Sequence, residues 1–338
     1  MVRVGRHRLL AVGHQHDARR WLIAAAADHR ADGGDGLQRG GTSSASPSNR
    51  SERIASDRSS LCDDAGMTAR PAHFSQIAPD QFLPTSNAQS HWGEDYLNGP
   101  ALVGLVARTL EEAYGLDDFM PARLTVDLFK AAHGVETTAT TRLVRDGRRV
   151  RNSECELIQE GVVVVRAILV QYRRSAPPRG EEWSASMDFT PPPDVDGAQV
   201  TYMGSDDGGW SHVIADHQNT SRKRFLNRTV DVVSGTKNTP FVNAAMAAEG
   251  TSLVTNLGSA GVGYINGDLT VALARLPLDD WIGVQADSHW VADGVGIGTA
   301  TLFDYAGAFG SGTVTAISNP AAQIDFGNDP FPMRGPTA

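Results

Sequence analysis

Asp268 opens a stretch that could do chemistry. It lies in the run Tyr264-Ile265-Asn266-Gly267-Asp268-Leu269-Thr270-Val271-Ala272-Leu273. Asn266-Gly267 is a turn signal, because both residues tolerate positive φ. Leu269, Val271 and Leu273 then alternate with Asp268, Thr270 and Ala272, the period of a half-buried strand. A carboxylate at the mouth of such a strand either faces a ligand or caps a turn; position alone favours the turn. Ser288 sits in no Gly-x-Ser-x-Gly elbow, so covalent serine chemistry has no support. His289 beside it points to the opposite face if Ser288 faces a site. His212, Asp216 and His217 match neither a zinc helix motif nor a calcium loop, which argues against a metal. Gly258, Gly261 and Gly263 fit no phosphate-binding fingerprint and read as a flexible connection. Arg275 and the run Arg222-Lys223-Arg224 read as solvated charges or as anion contacts.

The elements that must position these residues come in two similar sets. Asn98-Gly99-Pro100 predicts a helix start, with proline where its missing N–H costs nothing. Leu102, Val103, Val106, Ala107, Leu110, Ala113 and Tyr114 give that helix an apolar face. A strand with Leu124, Val126 and Leu128 follows. Hairpin signals at Asp146-Gly147 and Glu160-Gly161 then link Thr140–Arg145, Arg149–Leu157 and Val162–Tyr172 into an antiparallel meander. Thr239-Pro240 starts a second helix, with Phe241, Ala245, Ala248 and Ser252 on a narrow small-residue face weakened at Gly250. Its meander is predicted over Trp281–Trp290, Val295–Asp304 and Gly312–Ile317. Two copies of helix plus antiparallel sheet imply a duplicated α+β body. The expected organisation is 67–175 and 211–320 for the two units, a Pro- and Gly-rich linker over 176–210, and a flexible tail over 321–338.

Composition bounds the function. The chain has 338 residues, 41% hydrophobic and 20% charged, which fits a globular protein. A net charge of -9 argues against a general nucleic-acid binder. Two cysteines, Cys62 and Cys155, lie far apart and suggest a reduced, cytoplasmic protein without disulfides. No apolar run reaches the ~18 residues of a membrane span. Residues 1–66 carry no lysine and one aromatic, Trp21, and show no sustained period. They read as disordered or as a start-site artefact upstream of Met67. Arg19-Arg20 ahead of Trp21-Leu22-Ile23-Ala24 lacks the cleavage region of an export signal.

With these residues in place, the chain resembles the acyl-CoA thioesterase superfamily, TesB-like, with a double hotdog fold. The similarity runs from about Phe74 to Ile317. It is carried by Tyr264–Val271, Trp281-Ile282, Asp293-Gly294-Val295-Gly296 and the Asn98–Leu102 helix start. The resemblance implies two fused hotdog units, each a long helix wrapped by an antiparallel sheet. It also implies hydrolysis of an acyl thioester to free acid and CoA, with fatty-acid or other lipid metabolism as the setting. In that family an Asp, a Thr or Ser and a Gln surround the attacking water. Asp268 matches the Asp, and Ser288 falls at the Thr or Ser by its spacing from Trp281. Gly99 would supply an oxyanion-binding amide at a helix N-terminus. Asn98 and Asn266 would contact substrate. The Gln position carries Val314, which can neither orient water nor donate to an oxyanion; Thr313 and Thr315 flank it. That departure keeps a non-catalytic acyl or acyl-CoA binding protein as the alternative, and a hotdog enoyl-thioester hydratase as a third reading. No metal and no cofactor beyond the CoA of the substrate is expected. Edge strands leave room for a homo-oligomer.

Overall fold

The computed structural model describes residues 70–195 and 201–328, all within one compact unit, Gly66–Ala338. The expectations for residues 1–66 lie outside the described residues. The first half runs β1 (Ala72–Ala78), β2 (Gln81–Pro84), α1 (Gly99–Tyr114), β3 (Phe119–Leu128), β4 (Thr137–Asp146), β5 (Val150–Gln159) and β6 (Val162–Arg173). The second half starts with β7 (Thr201–Ser205), β8 (Gly209–Ser211), β9 (Lys223–Arg228) and β10 (Asp231–Val233). Helices α2 (Pro240–Ala248) and α3 (Gly250–Asn256) follow, then β11 (Leu257–Gly258), β12 (Gly261–Val262), β13 (Tyr264–Asn266) and β14 (Asp268–Leu273). The chain closes with β15 (Trp281–Ala292), β16 (Val295–Asp304) and β17 (Gly307–Ser318).

Local chemistry explains these boundaries. Asn98 caps α1 by accepting from the Ala101 N–H at 2.8 Å, and Thr239 caps α2 by accepting from Val242 at 3.2 Å. Pro100 and Pro240 occupy the first turns, as the sequence predicts. Glu160-Gly161 and Asp293-Gly294 all have positive φ, the conformation of tight hairpin turns. The second helix is two segments meeting at Glu249, which ends α2 and precedes Gly250 of α3.

One fifteen-stranded sheet runs through both halves in the order β10-β1-β2-β4-β5-β6-β3-β14-β17-β16-β15-β9-β7-β8, with β13 beside β17. The halves meet at the antiparallel β3–β14 seam, where Asp127 lies opposite Asp268 and Arg123 opposite Ala272. The helices fill the inner side. Leu105, Val106 and Leu110 of α1 and Phe241, Ala245 and Ala248 of α2 are fully buried against Leu124, Leu157, Leu169, Leu269 and Val271 of the sheet. Each fully buried large side chain contributes about 1.5–3 kcal/mol. Alanines on α2 let α1 come close. At Gly104 a Cβ would lie 2.7 Å from Val232 Cγ2 and 2.9 Å from Met246 Cγ, so only glycine fits. This is the double hotdog that the resemblance implies.

Two segments depart from expectation. Part of the stretch read as linker is folded: β7 and β8 extend the sheet, and Tyr202 and Met203 are buried. Phe189 stacks on Phe303 at 5.0 Å, so apolar residues among the prolines anchor it to β16. The described part of the tail is also tied down. Ile324 and Val262 exchange backbone hydrogen bonds of 2.9 Å, and Phe326 donates to Gln218.

Candidate active site

The strand holding Asp268 decides where its carboxylate goes. β13 and β14 both pair with β17, but Asn266 lies opposite Ala316 whereas Thr270 lies opposite Thr313. The two registers differ by one residue, so a β-bulge sits at Gly267 and re-aims the strand. Asn266, before the bulge, points inward to α3. After it, Leu269 and Val271 point inward and Asp268 points to the outer face. The Asp268 carboxylate accepts from the Thr315 N–H at 2.9 Å and from the Thr315 hydroxyl. It brackets β14 to β17.

Ser288 is on the outer face too. Its hydroxyl shares a 2.6 Å hydrogen bond with Thr299 Oγ1. β15 and β14 are separated by β16 and β17, three strand spacings or roughly 14 Å. Asp268 and Ser288 therefore share the outer face, turned away from the helices by strand alternation, with two strands between them. His289 faces inward instead, its ring edge-on to Tyr264. Val314 is fully buried in the core, while Thr313 and Thr315 are on the outer side.

The structure gathers a different set around Gly99. Glu249, at the α2–α3 junction, lies against the N-terminus of α1, and a Cβ on Gly99 would come within 2.1 Å of Glu249 Oε1. Only a residue without a side chain lets a carboxylate come so close. Asn266 Nδ2 donates to Glu249 Oε1 at 3.4 Å, and Ser252 Oγ donates to Asn266 Oδ1 at 3.1 Å. Gly99, Glu249, Ser252 and Asn266 are each half-buried, so the cluster is reachable from outside. Burial pushes the Glu249 carboxyl up to about 7, against the Asn266 bond that favours the charged form. A carboxylate that titrates near neutrality suits proton transfer. As the first residue of α1, Gly99 has an N–H with no intrahelical acceptor.

Asn98 turns out to be a cap and not a free ligand. Its amide donates to Asn87 O and Gln89 O, and its oxygen caps Ala101. The mirror position is built differently. Glu111, late in α1, reaches the start of α2 and accepts from the Thr239 hydroxyl.

The other charged candidates are absorbed by structure. Arg275 makes a double contact with Asp304 at 2.6 and 2.7 Å, buried on the Asp304 side. Arg222 and Arg224 pair with Asp206. His217 is enclosed between the Ser205 and Ser211 hydroxyls, and His212 binds Thr201 O. Among the described residues no group of three or more His, Cys, Asp or Glu could hold a metal, and no helix is long and apolar enough to cross a membrane. Burial pushes the Cys155 thiol up to about 12.

Family models match both halves, the acyl-CoA thioesterase N-terminal domain over residues 88–172 and its C-terminal domain over residues 176–317. The chain belongs to the acyl-CoA thioesterase family. No curated protein sequence matches it. Solved structures share the fold of this family member at low identity. A protein of unknown function with a hot dog fold from Alicyclobacillus acidocaldarius superposes with TM-score 0.54 at 15% identity, over 73% of this chain and 95% of its own. The tesB protein of Mycobacterium avium subs paratuberculosis gives 0.53 at 13%, over 73% and 96%. The acyl-CoA thioesterase II TesB2 from Mycobacterium marinum gives 0.51 at 14%, over 73% and 95%.

Glu249 was not legible as a site residue. It follows the alanine-rich run Ala244–Ala248, and an acid closing so apolar a helix face was the available signal.

Proposed function

We propose that the protein hydrolyses acyl-CoA thioesters with a water activated by Glu249. The observation that carries this reading is a half-buried carboxylate, raised to about 7, held against the half-buried N-terminus of α1. The Glu249 carboxylate takes a proton from water as the water oxygen bonds to the thioester carbonyl carbon. Negative charge gathers on the carbonyl oxygen, where the Gly99 N–H and the positive end of α1 meet it. The intermediate then breaks its carbon–sulfur bond. The sulfur leaves as CoA and takes up the proton from Glu249, and the free acid is released. Asn266, steadied by Ser252, orients the carboxylate. No covalent enzyme intermediate and no resident cofactor is needed.

The test is release of free CoA thiol from an acyl-CoA panel, with enoyl absorbance followed in parallel. Thiol release that is lost in Glu249→Gln is the expected result. Saturable acyl-CoA binding without turnover by the unmodified protein would make it a binding protein, and loss of enoyl absorbance without thiol release would make it a hydratase.

A further inference from the structure

Four strands of the first half, adjacent in the order β4-β5-β6-β3, meet at one corner of the sheet: the end of β4, the start of β5, the end of β6 and the start of β3. The chain has a net charge of -9, yet this corner carries Arg145, Arg148, Arg149, Arg151, Arg173 and Arg174 against Asp117, Asp118 and Asp146. Backbone contacts hold the arginines together. The Arg173 N–H donates to Arg149 O at 3.0 Å, Arg173 Nε donates to Arg148 O at 2.6 Å, and the Arg174 N–H donates to Asp118 O at 2.8 Å. Two of the guanidiniums are used by the fold. Arg151 pairs with Asp146 at 2.9 Å and donates to Tyr114 O at the end of α1, and Arg173 pairs with Asp118. Both lie over the Phe119 ring. The other four residues, Arg145, Arg148, Arg149 and Arg174, are exposed. Among the described residues none of their guanidiniums has an ion pair or a hydrogen bond.

Like charges crowded on a hairpin tip repel one another, and a guanidinium with open donors fits phosphate oxygens two at a time. Asp117 is the corner's one acid without an ion pair among the described residues, so positive charge is in excess there. Apolar side chains stand among the arginines. Leu116 in the α1–β3 loop, Val144 and Tyr172 are 48%, 50% and 51% exposed. Val144 is the extra residue of a β-bulge between Leu143 and Arg145, which takes it out of the strand alternation. A nucleic acid would engage the guanidiniums and leave these three side chains in water. A lipid surface engages both: headgroup phosphates meet the arginines, and the interface takes up leucine, valine and tyrosine. The corner lies at the end of α1 away from Gly99, sixteen residues or about 24 Å along the helix, and so is separate from the Glu249 cluster.

We propose that this corner docks the protein on an anionic lipid surface, with headgroup phosphates on the four unpaired arginines and with Leu116, Val144 and Tyr172 dipping into the interface. The contact is peripheral and crosses no membrane. It does not depend on hydrolysis at Glu249. The full chain is sedimented with vesicles of phosphatidylcholine alone and of phosphatidylcholine with about 30% phosphatidylglycerol, at about 0.1 M and about 0.5 M salt. Binding to the anionic vesicles alone is expected, and it should fall steeply at the higher salt. Each arginine at the surface contributes about fivefold to partitioning, so the double variant Arg148→Gln/Arg149→Gln should bind about 25-fold more weakly. The pair Arg145→Gln/Arg174→Gln should lose a similar factor and gives a second, independent reading. Leu116→Ser should weaken binding while leaving its salt dependence in place. The substituted side chains are exposed, so all three variants should keep the urea midpoint of the unmodified protein. Equal binding to neutral and anionic vesicles overturns the proposal. So does binding that survives the loss of all four arginines, which would come from elsewhere in the chain. A DNA duplex held by these arginines when the vesicles are not makes the corner a polyanion site and overturns it too.

Discussion

Replacing Glu249 with Gln separates catalysis from stability. Gln keeps the shape of the side chain and can still accept from Asn266, but it cannot take a proton from water. Loss of a general base lowers kcat by about 10²–10⁴. The same change should stabilise the fold at high pH. Holding a carboxyl at about 7 against an ordinary 4.5 corresponds to about 3 kcal/mol of preference for the neutral form. Because Glu249 is only half-buried, solvent screening reduces this to about 1–2 kcal/mol. The sign follows from a folded-state pKa above the unfolded one. The neutral carboxyl supports the fold below about 4.5, and that support fades as pH rises through about 7. Glu249→Gln should therefore raise the denaturant midpoint at pH 8.5 and leave it near the unmodified value at pH 5. The unmodified protein should show kcat/KM rising with pH to a plateau, with a midpoint near 7. The assay is thiol release with a chromogenic reagent, paired with urea unfolding at both pH values. A variant that keeps full activity refutes the base assignment. A variant that loses activity and stability together at pH 8.5 shows that the carboxylate is a structural ion instead.

Three further outcomes follow from the geometry. Asp268→Asn and Ser288→Ala should each retain activity within about threefold, since both residues bond on the outer face; Asp268→Asn also relieves the like charge of Asp127 across the seam, so unfolding should show no loss beyond about 0.5 kcal/mol. Gly99→Ala should cut kcat/KM by about tenfold or more with a smaller effect on stability, because the new methyl drives Glu249 Oε1 from its place, and a shifted pH midpoint would report that displacement. Asp304→Asn should cost about 2–3 kcal/mol in urea unfolding at pH 7, the lower end for a broken buried pair because Arg275 keeps some solvent contact. Burial raises the Asp304 carboxyl, but hydrogen bonds from Arg275, Leu278 and Ala306 outweigh it and hold the pKa below the ordinary value. That stability is present at neutral pH and should fade as pH falls through the folded-state pKa, below 3.8.

Much of the fold could be read from the chain because it is written locally. Pro100 and Pro240 marked the helix starts, and Asp146-Gly147 and Glu160-Gly161 marked hairpins that form where expected. β17 starts five residues earlier than expected, since Gly307, Gly310 and Gly312 hide its period. The site was harder to read because it is not local. Gly99 and Asn266 were identified through resemblance to a family, and both lie at the cluster. Their partner Glu249 reaches Gly99 only because α1 and α2 pack antiparallel, a contact no periodicity reports. Asp268 looked suitable because it follows a glycine at a strand mouth. The bulge at Gly267 sends Asn266 inward and Asp268 out, and a one-residue slip of that kind cannot be seen in an alternating pattern.

The antiparallel helix pair sets two acids at two helix starts, Glu249 beside Gly99 and Glu111 beside Thr239. A molecule made by doubling one unit begins with equivalent positions at both ends, and these have diverged. At one end the missing side chain leaves the acid open to a small molecule. At the other a threonine hydroxyl occupies the same acid, and the contact fastens the two helices together. Division of labour between the copies, one for reactivity and one for rigidity, needs no more than the difference between a hydrogen and a hydroxyethyl group.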